Sequence, residues 1–275
     1  MREVRAATRL LADAGVASPR HDAEELAAHV LGVPRSRLVL LDRLPADAAG
    51  RYAELVRERA ARVPLQHLTG VAGFRRLELA VGPGVFIPRP ETEVLVDWAL
   101  ARLAPGDLVV DLCAGSAAIA LAIADEAPGV RVHAVELEEH ALAWAARNVT
   151  RTGLPVTLHR GDVADPSVLA ALDGTVDLVT ANPPYIPVGA AGVEREVAEH
   201  DPPAALWGGE DGLVTVRAVE RAAARLLGPG GLVAVEHADL QGESVPAVFA
   251  RAGWAEVEDH PDLVGRARFT TARRI

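Results

Sequence analysis

The chain contains no lysine, so its 28 basic residues are all arginine. That absence excludes Schiff-base chemistry, a lysine general base and a Walker A phosphate loop. Cysteine is nearly absent too: Cys113 stands alone, so no disulfide closes within the chain and no cysteine cluster holds a metal. The nine histidines are scattered and none has ligand spacing with Cys113, so no metal is expected. A net charge of −10 leaves no broad basic surface for non-specific duplex DNA, and no stable nucleic-acid partner is expected. No run of about 18 uncharged apolar residues offers a membrane span. The N-terminal MREVRAATRLLADAGV is charged from its second residue, unlike a signal peptide, so a cytoplasmic location without a membrane partner is expected. Ala, Gly, Pro and Arg are abundant throughout, which makes the missing lysine a chain-wide bias and not the mark of a site.

The residues present suggest three parts. Residues 1–70 show helical spacing: Val4, Leu10 and Leu11 before Gly15, then Ala23, Leu26, Ala27, Val30 and Leu31 between Ser18-Pro19 and Gly32. A third helical segment runs from about Pro45 to Arg62, giving a small bundle. Over 71–88 the period shortens, with Leu77, Leu79 and Val81 alternating and Gly82-Pro83-Gly84 making a turn; this reads as a hairpin linker. From residue 89 to 275 strands and helices alternate. Strands are expected at Leu108–Leu112, Val130–Val135, Val156–His159, Leu178–Ala181 and Leu232–Val235. Helices are expected at Ala117–Ala127, Glu139–Asn148 and Gly212–Leu227, with an antiparallel edge at Trp254–Val257 and Ala267–Thr271. The fold class is α/β, a doubly wound Rossmann-like domain with the sheet covered on both faces.

Four strand ends carry candidate chemistry. Asp111-Leu112 runs into Cys113-Ala114-Gly115-Ser116-Ala117, a small-residue loop that lets a ligand approach the backbone or simply makes a tight turn. Glu136 ends the second strand, where an acid can accept both hydroxyls of a ribose; a nicotinamide cofactor and adenosylmethionine both fit. Asp162, before Val163, either accepts the amine of an adenine or caps a helix. After the fourth strand comes Asn182-Pro183-Pro184-Tyr185. Two prolines freeze this backbone and supply no N–H, so the Asn182 side-chain oxygen and the Pro183 carbonyl can both accept from one planar NH2, with Tyr185 against its face. That arrangement suits methyl transfer to an amide or base nitrogen.

At these residues the sequence resembles the HemK/PrmC N5-glutamine methyltransferases, which modify the glutamine of the Gly-Gly-Gln motif in class 1 peptide chain release factors. The resemblance covers nearly the whole chain. It rests on Arg62-Val63-Pro64-Leu65-Gln66-His67-Leu68-Thr69-Gly70, Val85-Phe86-Ile87-Pro88-Arg89-Pro90-Glu91-Thr92-Glu93, Asn182–Tyr185 and Asp262-Leu263-Val264-Gly265-Arg266. It implies a methyltransferase domain over 89–275, a substrate-docking role for 1–70 and S-adenosylmethionine as cofactor. Asp111 and Cys113, Ala114, Gly115, Ser116 and Ala117 would line its methionine part. Glu136 would hold the ribose, Asp162 and Val163 would flank the adenine, and Asn182 would border the cofactor as well as the substrate. Asn182, Pro183, Pro184 and Tyr185 would hold the substrate amide, with Asn182, Pro183 and Tyr185 catalytic. Cys113 and Ala117 stand where the family has glycines, and Glu136 where aspartate is commoner. An alanine there could weaken binding if the position needs positive φ.

Arg89 and Glu91 have two readings: a lid over the cofactor site, or an interdomain ion pair beside a helix start with Pro90 as its first residue. Alternatives to the release-factor substrate are a nucleic-acid base, a ribosomal-protein glutamine, or an inactive cofactor-binding regulator. The acidic charge speaks against the first, and the intact Ile-Pro-Arg-Pro-Glu-Thr-Glu segment against the second.

Overall fold

Strand β3 (Leu108–Leu112) is buried at every residue, as a strand covered on both faces must be. It is an inner strand of a seven-stranded sheet in a computed structural model that describes residues 1–275. The other strands are β4 (Arg131–Glu136), β5 (Val156–Arg160), β6 (Val176–Ala181), β7 (Leu227–Glu236), β8 (Ala255–Pro261) and β9 (Ala267–Arg273), in the order β5-β4-β3-β6-β7-β9-β8. β5, β4, β3, β6 and β7 are parallel, while β9 pairs antiparallel with β7 and β8 antiparallel with β9. The fold is the expected doubly wound α/β class. Strand order reverses at β3, whose neighbours are β4 and β6, and ligands in such sheets bind beyond the carboxyl ends at that point.

Helices cover both faces. Helix α6 (Ala118–Glu126) follows β3 and is buried from Ala118 to Ile123, which explains why its sequence AIALAI has no polar face. Helices α5 (Glu93–Leu100) and α7 (Glu139–Thr152) complete the first face. After the short α9 (Pro203–Leu206), the other face carries α10 (Val214–Leu226), which buries Val216, Val219 and Ala223 against β6 and β7, and α11 (Ser244–Arg251), which packs on β8 and β9 and adds Val245 and Phe249 to the same cluster.

The chain forms two units, residues 1–71 with 193–200, and 72–192 with 201–275. The first is the expected helical bundle: α1 (Arg2–Asp13), α2 (Pro19–Leu31), α3 (Ala46–Ala60) and the short α4 (Leu65–Thr69). Leu11, Leu26 and Leu55 are its inner residues, and the Tyr52 hydroxyl donates to the Ala23 carbonyl at 3.0 Å. Helix α8 (Arg195–His200) belongs to this unit although it follows the Asn-Pro-Pro-Tyr loop in sequence. Arg59, 6% exposed, joins it by contacting Asp22 at 2.7 Å and Glu196 at 2.9 Å. A linear division at residues 70 and 88 therefore misses this excursion, and it separates residues 72–88 from the unit they pack in.

The hairpin also differs from its expected form. β1 (Val71–Phe74) and β2 (Leu77–Ala80) make a two-stranded sheet, but the connection is Arg75-Arg76, not Gly82-Pro83-Gly84. Arg75 takes φ 52°, and its guanidinium is held by Glu126 and Asp97 while its N–H donates to Glu93 at 2.9 Å. Three carboxylates offset an unfavourable backbone that glycine would adopt freely. Gly82 serves differently: a Cβ there would lie 2.6 Å from the Trp144 ring.

One buried side chain ties these elements to the loop after β3. Asn148 of α7 is fully buried; it accepts from Ala80 N at 2.7 Å and donates to Ala80 O at 3.0 Å and Ser116 O at 3.1 Å. Asn148→Ala strands all three backbone groups, and an unmade buried hydrogen bond costs about 1–3 kcal/mol. The expected loss is about 2–3 kcal/mol of unfolding free energy. A urea midpoint equal to that of the unchanged protein contradicts this role.

Candidate active site

The residues singled out in the sequence gather beyond the carboxyl ends of β3, β4, β5 and β6. The loop after β3 has φ 57° at Cys113, 57° at Gly115 and 64° at Ala117. Two of these three left-handed positions carry a side chain, so the backbone keeps a glycine conformation without glycine. Such residues store roughly 1–3 kcal/mol each. The loop is held regardless: Ala117 is fully buried in the core, and Asp111 anchors the start of α6. A Cβ at Gly115 meets nothing within 4 Å, so open space lies above the loop.

Asp111 is 1% exposed and both its oxygens are engaged within the protein. It accepts from the Thr180 hydroxyl at 2.8 Å and from Ala120 N at 3.2 Å. Burial pushes its pKa up to about 7, against those two bonds. Its observed part is to join β3, β6 and α6 beneath the loop. Burial also raises the Cys113 pKa, with the charges of Glu136, Asp111 and Asp162 adding to it. This thiol is far from a nucleophile.

Glu136, at the tip of β4, is 9% exposed. One carboxylate oxygen accepts from Gly115 N at 2.7 Å and the other from Glu138 N at 2.8 Å. Burial raises its pKa and these backbone bonds oppose the shift. The Leu137 N–H also faces this carboxylate, which has about four acceptor positions in all. Acceptor capacity beyond these backbone bonds matches the donating hydroxyls of a vicinal diol, so the acceptor set fits a ribose. Asp162 is exposed and starts no helix: its oxygen accepts from Ala164 N at 2.8 Å in a turn. The helix-cap reading is thereby corrected, because residues 161–169 form turns. Val163 and Cys113 pack against one core cluster.

The Asn-Pro-Pro-Tyr loop leaves β6 beside the β3 loop. Asn182 is half-buried and its Nδ2 donates to the Thr92 hydroxyl at 3.5 Å. Pro183 is buried. The Tyr185 hydroxyl donates to Glu236 Oε1 at 3.3 Å, and Gln241 Nε2 donates to the Tyr185 carbonyl at 3.1 Å. Sequence reasoning did not single out Thr92, Glu236, Gln241 or the glycines behind the loop. Glu236 sits one residue past the expected end of its strand, at a tip equivalent to that of Glu136, which was the available signal. Gly212 has φ 72°, and a Cβ there would fall 2.3 Å from the Tyr185 carbonyl oxygen. Gly212→Ala is expected to displace the loop and lower kcat about tenfold, since small misplacements cost heavily in an oriented reaction. Cofactor affinity measured by calorimetry stays as it was; unchanged kcat refutes the packing argument.

Arg89 does not pair across units. Its guanidinium contacts Asp201 at 2.7 Å within the second unit and lies 5.0 Å from the Phe86 ring centre. Pro90 begins a single helical turn that leads into α5, as its fixed φ allows. Glu91 lies 3.8 Å from Arg266 in an exposed pair.

Comparison with known proteins agrees with this geometry. The family model of the PrmC N-terminal domain matches residues 4–70, and that of the methyltransferase small domain matches 83–200. The release factor glutamine methyltransferase of Streptomyces coelicolor is 55% identical over 99% of this chain and 97% of its own length. A 4-amino-L-phenylalanine/4-methylamino-L-phenylalanine methyltransferase of Streptomyces pristinaespiralis is 42% identical over 93% and 89%. A methyltransferase structure from Pyrococcus furiosus shares the fold, with TM-score 0.54 at 20% identity over 82% of this chain and 98% of that one. Fold and site together define an S-adenosylmethionine-dependent methyltransferase. Within that class, the chain belongs to the release factor glutamine methyltransferase family.

Proposed function

We propose that this chain methylates the side-chain amide nitrogen of the glutamine in the Gly-Gly-Gln motif of class 1 peptide chain release factors. S-Adenosylmethionine, when bound, supplies an electrophilic methyl group. Glu136 would hold its ribose, residues 113–117 its methionine part, and Val163 with Asp162 the adenine edge. The observation that supports the reading is that Leu112 pairs with Ala181, so Asn182-Pro183-Pro184-Tyr185 leaves β6 at the switch point next to the loop of residues 113–117.

The nitrogen of an amide is a weak nucleophile because its lone pair is delocalised. The Asn182 oxygen and the Pro183 carbonyl would accept its two hydrogens, raising electron density on nitrogen and fixing its direction. Orientation then supplies most of the acceleration. No side chain of the loop takes a proton: after transfer the cationic amide is strongly acidic and releases one to water. A glutamate substrate would set its oxygens against these acceptors and bury an unmatched charge, so glutamine is selected.

Residues 1–70 would dock the body of the protein substrate, and the reaction would take place in the cytoplasm with the translation machinery. The amine-methylating relative from Streptomyces pristinaespiralis motivates a second reading, a small aromatic amine. Labelled S-adenosylmethionine, presented with a purified release factor, its Gly-Gly-Glu variant, RNA, DNA and 4-aminophenylalanine, tests both. Label is expected in the release factor alone, and label in the amino acid alone overturns the proposal.

A further inference from the structure

Glu236 ends β7 and is 1% exposed. The protein surrounds it with groups from the Asn-Pro-Pro-Tyr loop and the Ile-Pro-Arg-Pro-Glu-Thr-Glu segment. Tyr185 donates to Glu236 Oε1 at 3.3 Å. Burial pushes the Glu236 pKa up to about 7, and the largest opposing influence is the Thr92 hydroxyl facing it. Thr92, 3% exposed, in turn receives the Asn182 Nδ2 at 3.5 Å. Glu236 Oε2 is buried with no hydrogen-bond partner of normal geometry, and the Thr92 hydroxyl is the neutral donor that faces this carboxylate; Glu236, Thr92 and Asn182, from separate elements, thus lie in one line.

The chemistry of these groups fixes the direction of that line. An ionised carboxylate only accepts, and a hydroxyl has a single proton. When Thr92 donates its one hydroxyl hydrogen bond to Glu236, its lone pairs can only accept, and the partner it meets on Asn182 must be the NH2. The Asn182 oxygen is then turned the opposite way. We propose that Glu236 is a positioning residue which, through Thr92, holds Asn182 with its oxygen presented to the incoming amide. This rests on the substrate reading above and deepens it. Without the anchor, Asn182 can turn over and offer a donor where an acceptor is required.

Protonation supplies a built-in check on the relay. The groups facing Glu236 are Tyr185, Thr92, the Arg268 guanidinium and Glu91, with Arg89 acting on Tyr185 and His237 next in the chain. Arg268 favours the charged form, whereas Glu91 disfavours it. A neutral Glu236 can donate to Thr92, freeing the Thr92 proton to face Asn182. Turnover therefore falls as the pH drops through about 7.

The test uses the full-length protein carrying Glu236→Gln, Thr92→Val, both changes together, or Thr92→Ser. Expected are kcat losses of roughly 10- to 100-fold for Glu236→Gln and Thr92→Val, with S-adenosylmethionine affinity within about threefold. The double variant loses no more than either single one, because the two residues act in series. Thr92→Ser, which keeps the hydroxyl, stays within about threefold of the unchanged enzyme. A second readout needs no substrate. The side-chain NH2 signals of Asn182, assigned by their loss in Asn182→Ala, should shift with pH through the Glu236 titration and cease to do so in Glu236→Gln. Additive losses, a Thr92→Ser variant as impaired as Thr92→Val, or Asn182 signals indifferent to Glu236 overturn the relay. If the unchanged enzyme fails on the release factor while the Asn182 signals still follow Glu236, the substrate reading falls and the relay stands.

Discussion

Asn182→Ala is expected to lower kcat for release-factor methylation by about 10³-fold, the scale seen when one preorganised polar group is removed from a reacting centre. The loop itself should persist. Its course is set by Pro183 and Pro184, by the Ile186 N–H donating to the Leu206 carbonyl at 2.9 Å, and by Gln241 on the Tyr185 carbonyl. Glu136 and residues 113–117 are untouched, so S-adenosylmethionine should bind within about threefold of its normal affinity. The KM for the protein substrate should move little, because most docking contacts lie away from one amide. A drop confined to kcat marks an interaction made in the transition state. Single-turnover rates with saturating release factor measure it directly, and a rate within tenfold of the unchanged enzyme removes Asn182 from the mechanism.

Much of the site was legible because it lies in continuous sequence. A buried strand, a small-residue loop and a buried helix can be read from Leu108 to Ile123 without knowing what packs on them. Glu136 is legible for the same reason, as an acid at the end of an apolar run. The Asn-Pro-Pro-Tyr loop announces itself through its prolines. Other features exist only after folding. Thr92 lies far in sequence from Glu236 and Gln241, which follow one another at the end of β7, and only folding brings the two segments under the loop that leaves β6. Helix α8 reads as part of the catalytic domain until the buried Arg59 is seen between Asp22 and Glu196. The hairpin turn was misplaced because Gly82-Pro83-Gly84 is the stronger local signal. Arg75 adopts the strained turn because distant carboxylates hold it there.

The non-glycine loop raises the importance of Glu136. Cys113 and Ala117 hold left-handed backbone at a cost, and Gly115 is the one residue of the three free of it. The Gly115 N–H is fixed by Glu136 at 2.7 Å, so the residue proposed to hold the ribose is also the clamp on the loop. Glu136→Gln should therefore fail twice. An amide offers one oxygen, so its NH2 must face the N–H of either Gly115 or Glu138, donor against donor. It also loses the negative charge that two ribose hydroxyls would meet, and hydrogen bonds to a charged group are worth about 1.5–3 kcal/mol each. The expected result is an S-adenosylmethionine Kd raised on the order of 10²-fold or more, with kcat recovering at saturating cofactor. The unchanged protein should show the same weakness on acidification. Burial has raised the Glu136 pKa, so as pH falls toward it the carboxylate takes a proton, loses an acceptor and releases cofactor. Glu136→Gln has no proton to take and should bind with a flat profile over the acid range. Calorimetric titration of both proteins across that range decides the matter: equal affinities, or parallel pH profiles, would show that Glu136 only braces the loop and leaves the ribose to other groups.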